Sequence, residues 1–412
     1  MTEKRKQEDL TREDATASTS DGDQRNDRKS SLHFTNFATA SDEEFQNILR
    51  EQLAENPLSK DYPDLFDKAP GCFVKWRRRY SKSPKLWKRI FQTDRVLKEF
   101  CEAVPVLDAV LKMMETDTRL QQEKQQYTII DLCSGKGYLG MILSEMLPPS
   151  KVFRIVLMDK AWPMRNSPVK PQHINWEHIY GSIGEQNERQ TDENGEEKND
   201  SETTTKPESS SSRSYYDTWP IPIDTSKQDL KSSRQLQLIK KHYLSNPSQH
   251  PVILLAIHLC GTLSLRAIEL FNTNPSVKFM ALKPCCLPGM VHAKRHELFK
   301  VGTHCFEASE VCVHGKWNKD KWENGPPRSH LKPKFQKWSD HLYKGIGYED
   351  SDANTTFGDD NKGDETVRKV HTKIVVQHGG GLQNDFLFAE RMPVSSSNVW
   401  ERLDQDALEQ KD

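Results

Sequence analysis

The stretch Thr128–Leu143, "TIIDLCSGKGYLGMIL", places Gly135, Gly137 and Gly140 in the spacing G-x-G-x-x-G directly after an apolar run. Glycines so spaced let the backbone turn tightly and approach a nucleotide-like ligand. A phosphate-cradling loop needs G-x-x-x-x-G-K-[ST]. Here Gly137 follows Lys136, and Ile130 stands where the first glycine belongs, so that reading fails. A dinucleotide turn fits the glycines, and Asp159 at the end of the next apolar run would then bind a ribose. Asp131 argues against it. Four residues ahead of Gly135, its carboxylate would face the diphosphate and repel it. S-adenosylmethionine carries no phosphate, and its ammonium and sulfonium are attracted by the same charge. The pattern D-x-x-x-G-x-G therefore points to S-adenosyl-L-methionine as cofactor and to methyl transfer.

Each residue then has an expected place. Gly135 and Gly137 let the backbone pass beneath the cofactor. Ser134 offers a hydroxyl or N–H to the methionine carboxylate, and Asp159 accepts from both ribose hydroxyls. Asp224 or Asp229, in "WPIPIDTSKQDL", faces the adenine amino group. On the acceptor side, "IHLCG" and "KPCCLPG" end two later apolar runs. His258 there is a candidate general base, and Lys283 a candidate to polarise the acceptor or hold a phosphate. Cys260 and Cys286 are expected to line the cleft. His258, Cys260, Cys285, Cys286 and His292 resemble a loose ligand set. Their spacing is irregular, no C-x-x-C anchors them, and neighbouring strand residues face opposite ways, so no metal is expected.

The segment Lys75–Phe91, "KWRRRYSKSPKLWKRIF", holds eight Lys or Arg and no acid, with Trp76, Tyr80 and Trp87 between them. Cations that neutralise phosphates and rings that stack on bases make Lys75, Trp76, Arg77, Arg78 and Arg79 candidates for binding RNA, tRNA included. The alternative is a helix face whose tryptophans pack on the domain. A second, weaker basic and aromatic stretch spans Gly315–Trp338.

The elements that must position these residues follow from hydrophobic period. "YTIIDLC", "KVFRIVLMDK", "PVILLAIHLCG" and "VKFMALKPCC" read as strands, alternating with helical segments such as "YLGMILSEML" and "LSLRAIELF". Two segments compete for the third strand, "INWEHIYGSI" and "WPIPIDTSKQDL", and the second is preferred. "KVHTKIVVQ", "HGGGLQND" and "FLFAERM" predict an antiparallel hairpin. The expected fold is α/β: a Rossmann-like, mostly parallel class I methyltransferase sheet with a C-terminal antiparallel hairpin. Ahead of it, residues 41–126 predict a helical, basic extension whose first helix is capped by Ser41. The domain is expected over residues 127–391, interrupted by a polar insertion at 185–214 and an acidic loop at 348–366. Residues 1–40 read as a disordered tail and 392–412 as a C-terminal tail.

The chain has 412 residues, of which 34% are hydrophobic, and its mean hydropathy is -0.81. No apolar run is long enough for a membrane span. Lys and Arg (59) balance Asp and Glu (60), so charge as a whole names no partner. Eight cysteines without a C-x-x-C pair read as reduced thiols, which implies cytosol or nucleus.

"DLCSGKGYLG", "IPIDTSKQDL", "HLCGTLSLRAIEL" and the double-cysteine strand end resemble a eukaryotic methyltransferase-domain family. That family includes tRNA acceptor-stem 2'-O-methyltransferases and glutathione-S-transferase C-terminal-domain-containing proteins. The resemblance covers roughly residues 127–289 and implies an S-adenosylmethionine-dependent methyltransferase. The Cys/His zinc modules of the tRNA enzymes have no counterpart here, and "LPG" replaces their histidines after the double cysteine. RNA is the first expected acceptor and a protein side chain the second. The rivals are an NAD-dependent oxidoreductase and a catalytically silent binding module. Oligomeric state is not set by the sequence.

Overall fold

A computed structural model describes residues 40–91, 95–117, 125–164, 167–181, 219–245, 250–318, 321–347, 365–376 and 384–393. The expected tails, the 185–214 insertion and the acidic loop lie almost wholly outside these residues.

Ser41 starts the first helix as its residue types require. Its hydroxyl accepts from the Glu44 N–H while the Glu44 carboxylate accepts from the Ser41 N–H, capping α1 (Asp42–Ala54). Helices α2 (Pro63–Tyr80), α3 (Pro84–Ile90) and α4 (Arg95–Thr116) follow. Pro sits in the first turn of α2 and α3, where its missing N–H costs nothing.

A seven-stranded sheet then forms from β1 (Tyr127–Leu132), β2 (Val152–Asp159), β3 (Ile223–Lys227), β4 (Val252–Cys260) and β5 (Val277–Cys286), completed by the C-terminal pair. Two small hairpins, β6 (Leu298–Val301) with β7 (His304–Glu307) and β8 (Lys316–Asn318) with β9 (Lys321–Glu323), stand apart from it. The C-terminal pair is β10 (Glu365–Lys373) and β11 (Asp385–Pro393), and the order across the sheet is β10-β11-β5-β4-β1-β2-β3. The pairs from β3 to β5 are parallel, while β11 runs antiparallel to both β5 and β10. This is the expected Rossmann-like arrangement. The third strand comes from "WPIPIDTSKQDL", and "INWEHIYGSI" instead contains a short helical turn, Glu177–Tyr180.

Strand alternation divides the core into two layers. Ile129, Ile155, Leu255 and Phe279 pack on one face with the N-terminal helices and α5 (Tyr138–Met146). Ile130, Val156, Leu254 and Met280 pack on the other with α6 (Ser233–Ile239), α7 (Leu263–Thr273) and α8 (Lys332–Gly345). The first layer is continuous from Phe45 to β1. The helices at 41–116 are therefore packed as a cover of the sheet, and α4 brings two glutamates to the carboxyl ends of β4 and β5.

Candidate active site

The carboxyl end of β1 enters a turn with three left-handed residues, Cys133 (φ 54), Gly135 (φ 54) and Gly137 (φ 83). The two glycines are needed for different reasons. A Cβ on Gly135 would meet nothing within 4 Å, whereas one on Gly137 would lie 2.5 Å from Leu157 Cδ1 of β2. Gly140 is pressed against the same leucine. The collision expected from a cofactor at Gly137 is instead a collision with the protein's own sheet. Open space lies over Gly135.

Asp131 ends up 2% exposed in β1, and its Oδ2 is buried without a hydrogen-bond partner. Burial, followed by the charges of Asp159 and Glu99, pushes its carboxyl well above the usual carboxylate range. Leaving such a group unmatched is costly, and a cation placed over it would remove the cost. Asp159 closes β2 beside it. Its Oδ2 accepts from the Gly135 N–H at 3.2 Å and its Oδ1 from the Ala161 N–H at 2.8 Å, so this carboxylate already holds the turn. The Ser134 hydroxyl accepts from Trp162 Nε1 at 3.1 Å. Asp224 sits at the start of β3, beside Val156, and pairs with Arg154 at 3.6 Å. That is the amino-terminal half of the strand, away from the turn. Asp229 follows β3 and its charge acts on Cys133, together with those of Asp159, Asp131 and Cys260. The Asp229 Oδ1 accepts from the Lys231 N–H at 3.0 Å in the turn before α6.

His178 braces the turn from below, and its sequence context did not suggest a role. Its Nε2 donates to the Lys136 carbonyl at 2.7 Å and its Nδ1 faces the Arg89 guanidinium at 2.9 Å. Burial, then the Arg89 charge, lowers it to about 3, so it stays neutral. The Tyr138 hydroxyl donates to the Ile90 carbonyl at 2.8 Å, fastening α5 to the end of α3.

On the acceptor side, β4 and β5 carry two register breaks near their carboxyl ends. Ala256 pairs with Leu282 but Leu259 with Pro284, which leaves an extra residue in β4; Cys260 then pairs with Cys286, which leaves one in β5. Bulges re-aim side chains. The first turns His258 toward α4, where its Nε2 lies 3.0 Å from Glu99 and 3.6 Å from Glu102. Lys283 Nζ is 3.3 Å from Glu102 and nearly fully buried. Burial lowers the Lys283 ammonium below its ordinary range, against the opposing Glu102 charge. Glu99 is raised by burial, yet the His258 hydrogen bond and nearby cations outweigh this and hold it below its ordinary value. Lys283 is therefore committed to Glu102 and is badly placed to grasp a phosphate.

The second bulge undoes the alternation expected of Cys285 and Cys286. Cys260 Sγ lies 3.1 Å from Cys285 Sγ, and Cys285 Sγ lies 3.8 Å from Cys286 Sγ. The three thiols gather on one side of the sheet end, within 4.8 Å of one another, which corrects the expectation that they could not serve one ion. Hydrogen bonds from Cys285 and Cys286 favour the thiolate of Cys260 and lower it, while Cys285 is pushed up. All eight cysteines are free thiols.

Part of the basic N-terminal segment is engaged internally. Trp76 is 0% exposed and packs edge-on against Phe73 and Trp219. Arg77 donates to the Ser41 carbonyl at 2.9 Å and to that of Ala40, and lies over Phe45. Arg78 pairs with Asp42 at 2.7 Å. Arg79 stacks on Trp219 at 3.6 Å, and Lys75 and Arg79 both reach Glu145 at 3.4 Å. Trp76, Arg77 and Arg79 pin α2 to its neighbours and are not free to meet RNA, whereas the side chains of Lys75 and Arg78 are 59% and 68% exposed. Among the described residues, no helix is long and apolar enough to cross a membrane.

No curated protein matches this chain. Solved structures similar to it include a cyclopropane-fatty-acyl-phospholipid synthase-like protein from Lactobacillus casei ATCC 334, at 11% identity and a TM-score of 0.23 over 47% of this chain. The match spans about half, 52%, of that protein. The plantazolicin methyltransferase BpumL in complex with SAH is similar at 10% identity and 0.28, over 85% of this chain and 99% of that one. The CurJ carbon methyltransferase is similar at 7% and 0.30, over 85% and 71%. Scores this low carry no inference about acceptor or partner. Residues 97–292, from the helix that bears Glu99 and Glu102 through the three-cysteine strand ends, match the family model of a methyltransferase domain.

Proposed function

We propose that this chain is an S-adenosylmethionine-dependent methyltransferase. The observation that carries the reading is Asp131, whose buried, unpartnered Oδ2 lies at the end of β1 beside a left-handed glycine turn with open space above Gly135. The cofactor, when bound, supplies a methyl group on a sulfonium for in-line attack by an acceptor oxygen or nitrogen. Asp131 holds the ammonium, Asp159 keeps the turn in place and faces the ribose, and Asp229 lies toward the adenine. His258, with Nε2 tied to Glu99, keeps Nδ1 as the nitrogen that takes the acceptor's proton. Most of the rate enhancement comes from positioning.

The acceptor we infer is RNA, tRNA included, with a protein side chain as the alternative. What supports RNA is the exposed set Lys82, Lys85 and Lys88 on α3 and the turn before it. That element adjoins the cofactor turn, since the Arg89 and Ile90 carbonyls accept from Lys136 and Tyr138.

Calorimetry with S-adenosylhomocysteine tests the cofactor. Wild type should bind and Asp131→Asn should bind at least tenfold more weakly. Stabilisation by NADH and not by S-adenosylhomocysteine would overturn the reading in favour of an oxidoreductase. Incubation with isotopically labelled cofactor and separated RNA and protein fractions then assigns the acceptor.

A further inference from the structure

We propose that Cys260, Cys285 and Cys286 form a binding site for one thiophilic divalent cation of the zinc class, held by three thiolates with a fourth position open to solvent. This goes beyond methyl transfer and does not depend on it.

Zinc–thiolate bonds of about 2.3 Å arranged tetrahedrally put neighbouring sulfurs about 3.8 Å apart. Here the separations are 3.1 Å and 3.8 Å, and all three sulfurs lie within 4.8 Å of one another. Adjacent residues of a regular strand point to opposite faces, so Cys285 and Cys286 meet only because β5 carries an extra residue at that point. The bulge is the device that makes a third ligand possible.

Chemistry adds a second reason. Soft sulfur ligands select zinc-like ions over magnesium or calcium. Three thiolates on a divalent ion leave one net negative charge. Lys231 is a cation felt at Cys260, and Lys283 is a cation felt by Cys285. Binding releases the thiol protons to solvent and requires no oxidant. Cys260 is exposed and the other two are half-buried, so the ion is reachable and keeps a position for water or an acceptor atom, as three-ligand sites do.

The test uses the full-length protein, reduced, stripped with a chelator and titrated with cobalt(II). One equivalent should bring up cobalt–thiolate charge-transfer absorption, and zinc should abolish it. Cys260→Ser and Cys286→Ser should each weaken cobalt binding at least tenfold, and Cys305→Ser, on the β6–β7 hairpin and outside the three-sulfur group, should leave it unchanged. Absence of the absorption in folded wild type whose thiols all titrate as reduced would overturn the site. So would equal loss in the Cys305 variant. S-adenosylhomocysteine calorimetry on the same samples keeps the two readings apart: its failure with intact cobalt binding counts against methyl transfer alone.

Discussion

Lys283 of β5 and Glu102 of α4 form an ion pair at 3.3 Å, with side chains 3% and 8% exposed. It links the sheet end to the helix above it, and His258 joins through Glu99 and Glu102. Removing one partner of such a pair leaves an uncompensated buried charge, worth about 3–5 kcal/mol. Glu102→Gln should therefore destabilise by that order in chemical denaturation. Adding Lys283→Met should restore much of the loss. Independent, additive effects would show that the two do not act as a pair.

Asp131 makes cofactor binding depend on pH. Its folded-state pKa is raised by burial, so the free protein holds a proton there to higher pH than an ordinary aspartate. The ionised form attracts the ligand's ammonium, so binding expels that proton and strengthens as pH rises toward the raised pKa, then levels off. Stability of the free protein runs the opposite way: above the ordinary carboxylate range it falls as pH rises toward the raised pKa, because ionising Asp131 with no ligand bound works against the fold. Calorimetry in buffers of different ionisation enthalpy should detect proton release with wild type and none with Asp131→Asn.

Gly135 and Gly137 should respond differently to alanine. Gly137→Ala places a Cβ 2.5 Å from Leu157 Cδ1 at φ 83, combining strain with overpacking at about 2–4 kcal/mol. Gly135→Ala meets no atom and should cost only about 1 kcal/mol for its left-handed backbone. It should instead lose S-adenosylhomocysteine affinity. Thermal melts and calorimetry on both variants separate the effects, and equal destabilisation would refute this division.

His178 should confer acid lability. Its folded pKa is lowered from 6.5 to about 3, so between those values the unfolded chain binds the extra proton. The stabilisation is complete above the unfolded value and is lost as pH falls toward about 3. Melting temperature should fall through this window, and His178→Gln should flatten the decline while lowering the neutral-pH value. A variant with an unchanged acid slope would remove His178 as the cause.

The basic segment divides into structural and exposed cations. Arg79→Ala should lower the melting temperature, since it breaks both the Glu145 pair and the stack on Trp219. Alanine at Lys82, Lys85 and Lys88 should leave melting unchanged. It should weaken RNA binding and flatten its salt dependence by about 0.7 in slope per lysine. An unaltered salt slope would argue for another contact face.

Much of the fold was legible because it rests on local period. Apolar runs at strand spacing, helical stripes between them, and Ser41 with Glu44 at a helix start are properties of neighbouring residues. The cofactor turn was legible for a similar reason: Asp131 and the glycines lie within a few residues of one another. The acceptor side was not. Glu99 meets His258 across 159 residues, and no short-range pattern marks α4 as the source of two carboxylates. The arginine triplet shows the converse, since its composition suits RNA equally well until Asp42, Glu145 and Trp219 are seen beside it.

By itself the amino-acid order determined the strand–turn–helix unit, the charge at its mouth and the kind of ligand that charge attracts, because backbone conformation and short-range electrostatics act between near neighbours. Tertiary structure decided which polar side chains remain available. Packing of α4 committed Lys283, docking of α2 consumed Arg77 and Arg79, and two strand bulges turned His258 and the cysteines to their working faces. Burial and pairing depend on segments far apart in the chain, and only the folded arrangement brings those segments together.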